Sequence, residues 1–178
     1  MLFRLLSAFA PSMIAQFLII PSAAANYALP PMEYTLFCRS YPAECNRSTG
    51  RLPDEAAALL HLQSVNSLAN GAITPIRQSS DGWRLYPSHG DCADYAVSKR
   101  HTLLSIGWPA SQLRLAEVAI RKTGEHHLVL LAFVHGSIWV LDNLQKEVVK
   151  LHDVENRYRI VRFASPNPDI WMTSVLTK

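Results

Sequence analysis

The sequence has 178 residues, of which 49% are hydrophobic and 17% charged, with a formal net charge of +3 at pH 7. This is enough chain for one substantial core and too little to divide comfortably, so a single globular domain is expected. The charge is weak and scattered, with Lys99–Arg100 as the longest basic cluster and Arg157, Arg159 and Arg162 alternating later; read as solvated surface charge, it excludes nucleic acid as a partner.

Residues 1–25 read as an export signal. Arg4 is their only charge, an apolar run follows from Leu5 to Ile20, and Pro21, Ser22 and Ala23–Ala25 form a small-residue pattern ahead of Asn26. A membrane anchor or a buried first helix competes with this reading. Pro11, Ser12 and Gln16 interrupt the run, however, which is already short for a span of roughly 20 apolar residues. Cleavage after Ala25 removes Arg4 and no acid, leaving 16 basic and 14 acidic residues in a periplasmic or secreted chain with no membrane span.

Residues 26–52, rich in Pro, Ser and Cys, read as an extended N-terminal arm. An oxidising compartment lets disulfides persist, and Cys38 and Cys45, seven positions apart with Pro42 bending the chain between them, are expected to pair. Two free thiols or a metal pair are the alternative, but His61 is the nearest histidine and nothing completes a metal spacing. The pairing leaves Cys92 alone, which is unusual in an exported protein.

The main domain, residues 53–178, opens with a helix. Pro53, Asp54 and Glu55 suit its start, Leu59, Leu62, Val65, Leu68 and Ala69 give it an apolar face, and Asn70 and Gly71 are expected to stop it. Residues 72–90 read as a loop. A second helix runs from Cys92 to Ile106, capped by Asp91 and closed by Gly107 and Pro109, with Cys92, Ala96, Leu103, Ile106 and Tyr95 close to one face. Strands are expected over 113–120, 127–134, 137–143 and 158–164, the middle two joined by His135–Gly136 as a hairpin. Helices followed by an antiparallel sheet make an α+β domain.

Cys92 therefore sits at a helix N-terminus, where the dipole favours a thiolate and free N–H groups can hold an oxyanion. It still needs a base and a group that orients the base. The hairpin brings the start of one strand, with His126 and His127, beside the end of the next, with Asp142 and Asn143. Only one of the two histidines can face the helix. His127 shares a face with Val129 and Leu131, and His126 with Leu128 and Leu130, so hydrophobicity leaves the choice open. A buried structural thiol, a polar strand end and a simple Asp-Asn turn remain the duller alternatives.

The segments "GDCADYAVSKRHTLLSIGWP", "HLVLL" and "WVLDNL" resemble those of the bacterial transglutaminase-like cysteine proteinases, in the papain and transglutaminase superfamily. The resemblance extends from "FCRSYPAEC" to "NPDIWM" and implies a papain/transglutaminase-like core with the nucleophile helix packed on an antiparallel sheet. It implies Cys92 as nucleophile, His127 as general base and acid, and Asp142 as the residue orienting the imidazole. His127 is preferred to His126 on this ground alone.

Three departures stand out. Ala93 replaces the family's Glu after the nucleophile, which argues against tight calcium binding; Asp91 and Asp94 remain as carboxylates for a weak calcium site, and no cofactor is required. The stretch before the motif is short, with Trp83 and Pro87 standing in for the family's Trp and Pro, and His89 lies near Cys92. The resulting expectation is an exported thiol hydrolase cleaving peptide or isopeptide amides of a protein or peptide substrate, such as a cell-surface protein. A transglutaminase using an amine acceptor and a non-catalytic binding module of the cell envelope are the rival readings.

Overall fold

The computed structural model describes residues 26–79 and 81–173, so the expected export signal lies outside the described residues. In chain order the elements are β1 (Tyr27–Ala28), α1 (Met32–Ser40), α2 (Glu55–Ala72), β2 (Thr74–Pro75), β3 (His89–Gly90), α3 (Cys92–Ser105), β4 (Leu113–Ile120), β5 (His126–Val134), β6 (Ser137–Leu141), β7 (Val149–Lys150), β8 (Tyr158–Ala164) and β9 (Trp171–Met172). A seven-stranded sheet has the order β1-β9-β8-β4-β5-β6-β7, with every pairing antiparallel. β2 and β3 form a short parallel pair of their own. The molecule is α+β, as expected.

Alternation along the central strands builds two cores from one sheet. Leu113, Leu115, Leu128, Leu130 and Leu141 pack with residues of all three helices, including Phe37, Leu62 and Val97. On the other face Val118, Val129, Leu131, Val140 and Phe163 pack with Val154 and Tyr158. The β5–β6 connection is the expected two-residue turn: His135 and Gly136 have φ of 45° and 84°, the mirror-image turn that suits the strands' twist.

Residues 26–52 depart from the extended arm. α1 and a 3-10 turn at Pro42–Cys45 occupy the middle of the segment, and Tyr34 and Phe37 are buried. Pro31 sits before the first turn, Glu33 lies in that turn and Arg39 in the last, all favourable to a helix. The Cys38–Cys45 disulfide is formed, with the Cα atoms 5.6 Å apart, and ties α1 to the 3-10 turn.

α2 begins as read, but Asp54 is its N-cap, accepting from the Ala57 N–H at 2.9 Å. It continues through Gly71 to Ala72, and Leu68 faces solvent while Ala58 and Asn66 are buried. α3 starts at Cys92 as expected, whereas Ile106 is half exposed beyond its end.

Lys99 and Arg100 depart from the expectation of solvated charge: they are buried, at 0% and 4% exposure. α3 is the central helix, packed against α2, β4 and β5. A helix covered on most sides has no broad solvent face on which to place its charges. Arg100 is accommodated by the Leu113 carbonyl at 3.2 Å, the Glu44 carbonyl and the Glu44 carboxylate at 3.9 Å.

Candidate active site

The nucleophile candidate is placed by the capping of α3. Asp91, the N-cap, accepts from the Ala93 N–H at 3.0 Å and from the Ser79 N–H at 2.9 Å. Asp94 closes the capping box by accepting from the Asp91 N–H at 3.1 Å, and also takes the Arg84 N–H at 2.7 Å. Such reciprocal capping satisfies otherwise orphaned donors and fixes how the chain enters the helix. Gly90 is required here, because a Cβ would lie 2.8 Å from the Asp94 Cβ and Oδ2. Cys92, the first residue of the helix, is partly exposed and is the free cysteine.

Its neighbours come from the hairpin. His127 Nε2 lies 2.8 Å from Asp142 Oδ1, and the Cys92 thiol hydrogen-bonds to the same ring. With Nε2 taken by the carboxylate, Nδ1 is the nitrogen left for the thiol. β6 ends at Leu141 opposite Leu130, so this side of β5 is unpaired at His127 and Asp142 turns toward the ring. Histidine and aspartate are 6% and 1% exposed. His126, by contrast, turns to solvent and bonds to Glu117.

Asp142 is held on every side. Oδ1 also accepts from the Leu144 N–H at 2.9 Å, Oδ2 accepts from the Tyr158 hydroxyl, and Asn70 Nδ2 donates to its carbonyl at 3.1 Å. Tyr158 further stacks on the His127 ring, with centroids 5.9 Å apart. Burial opposes the charged form of each partner, but the pair wins: the bonds to Asp142 and Cys92 raise the His127 pKa to about 9. Against the same desolvation, His127, Tyr158 and the Leu144 N–H hold the Asp142 carboxyl below its usual range. Tyr158 carries no sign of this role in the sequence, where it simply opens an alternating strand.

Cys92 and His127 lie where two clefts meet. One, of about 420 Å³, is walled by Pro31 and Leu36 from the α1 region, by Trp83, and by Glu117 and His126. The other, of about 630 Å³, is walled by Ile76, Arg77, Ile120, Asn143 and Leu144; Gln78 borders both. Trp83 does reach the cleft, braced by Tyr34 and Phe37 at centroid distances of 5.9 and 6.2 Å. His89 points to solvent and meets Ser88.

Asp91 and Asp94 do not form a chelating pair as they stand. Their oxygens are engaged by backbone N–H groups and, for Asp94, by Arg84 at 3.5 Å; Asp94 is fully buried, and Ala93 adds no oxygen. Among the described residues no cluster of three or more His, Cys, Asp or Glu could hold a metal. Calcium asks for six or more oxygens, so these two carboxylates would supply only part of a calcium shell, with backbone carbonyls or water needed for the rest.

The family model for bacterial transglutaminase-like cysteine proteinases matches residues 24–176. Solved structures of Legionella pneumophila LapG are similar. One has 25% identity and a TM-score of 0.55, with the match covering 64% of this chain and 66%, just under two thirds, of that protein. A calcium-bound form has 24% identity and a TM-score of 0.57, covering 67% and 71% of the two chains. An EGTA-treated form has 23% identity and a TM-score of 0.55, covering 67% and 69%. No curated protein matches the chain. The chain belongs to the bacterial transglutaminase-like cysteine proteinase family and has the transglutaminase-like fold.

Proposed function

We propose that this family member is an exported peptidase that cleaves peptide or isopeptide amides of a protein substrate through Cys92, His127 and Asp142. The observation that carries the reading is the thiol at the head of α3, bonded to a buried imidazole whose other nitrogen is held by a carboxylate. An imidazolium beside a thiol at a helix N-terminus favours the thiolate, the nucleophilic form.

Cys92 Sγ attacks the carbonyl carbon, and the Cys92 N–H at the helix start is suited to hold the oxyanion. The C–N bond breaks as His127 gives its Nδ1 proton to the departing amine, leaving a thioester. Water, giving a proton back to His127, adds to the thioester carbon; the C–S bond breaks, the acid leaves and Cys92 is restored. Asp142 keeps the ring in the required orientation and stabilises its charged form. An extended peptide crossing the nucleophile fills both clefts. No step uses calcium.

Export rests on residues 1–25 and on Cys38–Cys45, which suits an oxidising compartment. Among the described residues no helix is long and apolar enough to cross a membrane. The test is a peptide-library digest with wild type and Cys92→Ala in parallel, with calcium or EGTA. Cleavage by the wild type alone, unaffected by EGTA, is expected. Equal cleavage by both proteins, or by neither, contradicts the assignment.

A further inference from the structure

Three charged or ionisable side chains wall the cleft beside Cys92 without entering the chemistry above: Glu117 on β4, His126 on β5 and Arg162 on β8. Glu117 follows Leu113 and Leu115 on the helix-facing side of its strand. His126, opposite Ala119, stands one diagonal step away on the same side. Arg162 reaches that side through an irregularity. Ile160 pairs with Val118 and Arg162 with Glu117, so Val161 is an extra residue bulged out of β8. In regular register Arg162 would lie opposite Ala116, on the other face of the sheet, where Ala116 and Phe163 pack. The bulge turns it toward the cleft.

The three side chains then bond in a row. One Glu117 oxygen accepts from His126 Nδ1 and the other from Arg162 Nε. Arg162 Nη1 donates to the Leu29 carbonyl at 2.9 Å, which ties β8 to the segment before α1. Against desolvation, the bonds from His126 and Arg162 hold the Glu117 carboxyl below its usual range. Glu117 is thus an anion with a partner on each oxygen, and the groups left over are on the other two residues. Arg162 Nη2 and His126 Nε2 have no partner among the described residues, and their side chains are 28% and 65% exposed. Of the other carboxylates lining the cleft, Asp91 spends its oxygens on the Ala93 and Ser79 N–H groups, and Glu33 faces solvent on α1. A guanidinium oriented by one carboxylate and one carbonyl is preorganised to bind a second carboxylate through its remaining N–H groups.

We propose that Arg162 is a specificity-determining residue of this site, binding the carboxylate of an aspartate or glutamate side chain close to the scissile bond of the substrate. The inference rests on the reading of Cys92 and His127 as catalytic, which places the substrate in this cleft. Glu117 orients the guanidinium, the Leu29 carbonyl fixes its far side, and His126 borders the subsite. Asparagine or glutamine at the same substrate position keeps the shape and loses the charge, so it binds more weakly.

The experiment is affinity selection from a randomised peptide library on the whole Cys92→Ala protein, which binds without cleaving. Aspartate and glutamate are expected to be enriched over asparagine and glutamine at one position by roughly two- to fivefold, the range of a partly exposed ion pair. Adding Arg162→Gln abolishes that enrichment, and adding Arg162→Lys keeps part of it. If the Arg162→Gln protein does not fold, the Arg162 Nε–H resonance of the Cys92→Ala protein decides: it shifts on addition of the selected acidic peptide and not with its amide counterpart. Absence of enrichment, enrichment that survives in a folded Arg162→Gln protein, or an unmoved resonance overturns the proposal. Acidic enrichment among peptides that the protein with Cys92 intact does not cleave overturns the catalytic reading instead and leaves the subsite in place.

Discussion

At the residue scale, the Cys92, His127 and Asp142 side chains form a coupled set whose behaviour with pH has a definite sign. The His127 pKa, raised to about 9 from 6.5, means that the folded protein holds the ring's proton more tightly than the unfolded chain does. Its stabilising contribution is present in full below pH 6.5 and is lost as pH rises through about 9. Asp142, held low, contributes in the opposite sense: its share is present above the ordinary aspartate range and disappears as pH falls through its folded value. Amide hydrolysis is therefore expected to decline above about pH 9, where His127 can no longer protonate the amine. Alkylation of Cys92, which needs only the thiolate, is expected to persist there. A rate profile for hydrolysis that stays flat to pH 10.5 contradicts this assignment. Tyr158→Phe removes one donor to Asp142 and should lower kcat/KM by roughly three- to tenfold, the scale of one ordinary hydrogen bond. Wild-type kinetics in that variant assign Tyr158 to packing alone.

Cys92 and the hairpin residues could be read from the sequence because a helix cap, a two-residue turn and the family motif all pointed to them. The choice between His126 and His127 could not be made from parity, since both faces of β5 are apolar. What separates them in space is the end of β6, which leaves His127 beside Asp142. The burial of Lys99 and Arg100 is hidden in the sequence for another reason: charge is ordinarily a sign of exposure, and only the packing of α3 on several sides reverses it.

At the element scale, the start of α3 carries the site, and its cap is correspondingly sensitive. Gly90→Ala would set a methyl group against Asp94 at 2.8 Å and against Ile73 Cγ2 at 3.0 Å. Asp94 is fully buried and tied to the Asp91 and Arg84 N–H groups, so neither neighbour moves away freely. A loss of about 1–3 kcal/mol in unfolding free energy is expected, typical of overpacking, with slower Cys92 alkylation even where the protein stays folded. Denaturant melts and alkylation rates on the same sample check both. Unchanged values in each show that the capping box tolerates displacement. β4 and β8 were read to the residue because their apolar and polar positions alternate between short breaks. α1 is masked in the sequence by the Pro and Cys around it, which are marks of an irregular arm, although Tyr34 and Phe37 stand at helical spacing.

At the scale of the whole molecule, the segment before α2 belongs to the main core. Tyr34 and Phe37 join the helix-side cluster, β1 pairs with β9, and the α1 region walls the cleft beside Cys92. Such pairing between chain ends has no local signature, so neither the sheet order nor this closure was legible beforehand. The disulfide closes a short loop within the segment and should contribute about 2 kcal/mol. Its loss in Cys38→Ser/Cys45→Ser is expected to lower Tm and, because α1 borders the cleft, to raise KM more than it lowers kcat. An unchanged Tm and KM contradicts that coupling.

The central claim is that Cys92 is activated by His127, and the rate of Cys92 alkylation by iodoacetamide at pH 6 tests it most directly. An ordinary thiol near pKa 8.5 is about 0.3% thiolate at that pH, so full ionisation offers roughly 300-fold, of which reduced nucleophilicity returns a part. The account predicts labelling at least about tenfold faster than an unperturbed thiol, with the advantage lost in a folded His127→Ala. Labelling at the ordinary rate in the wild type, or at an undiminished fast rate in His127→Ala, contradicts it.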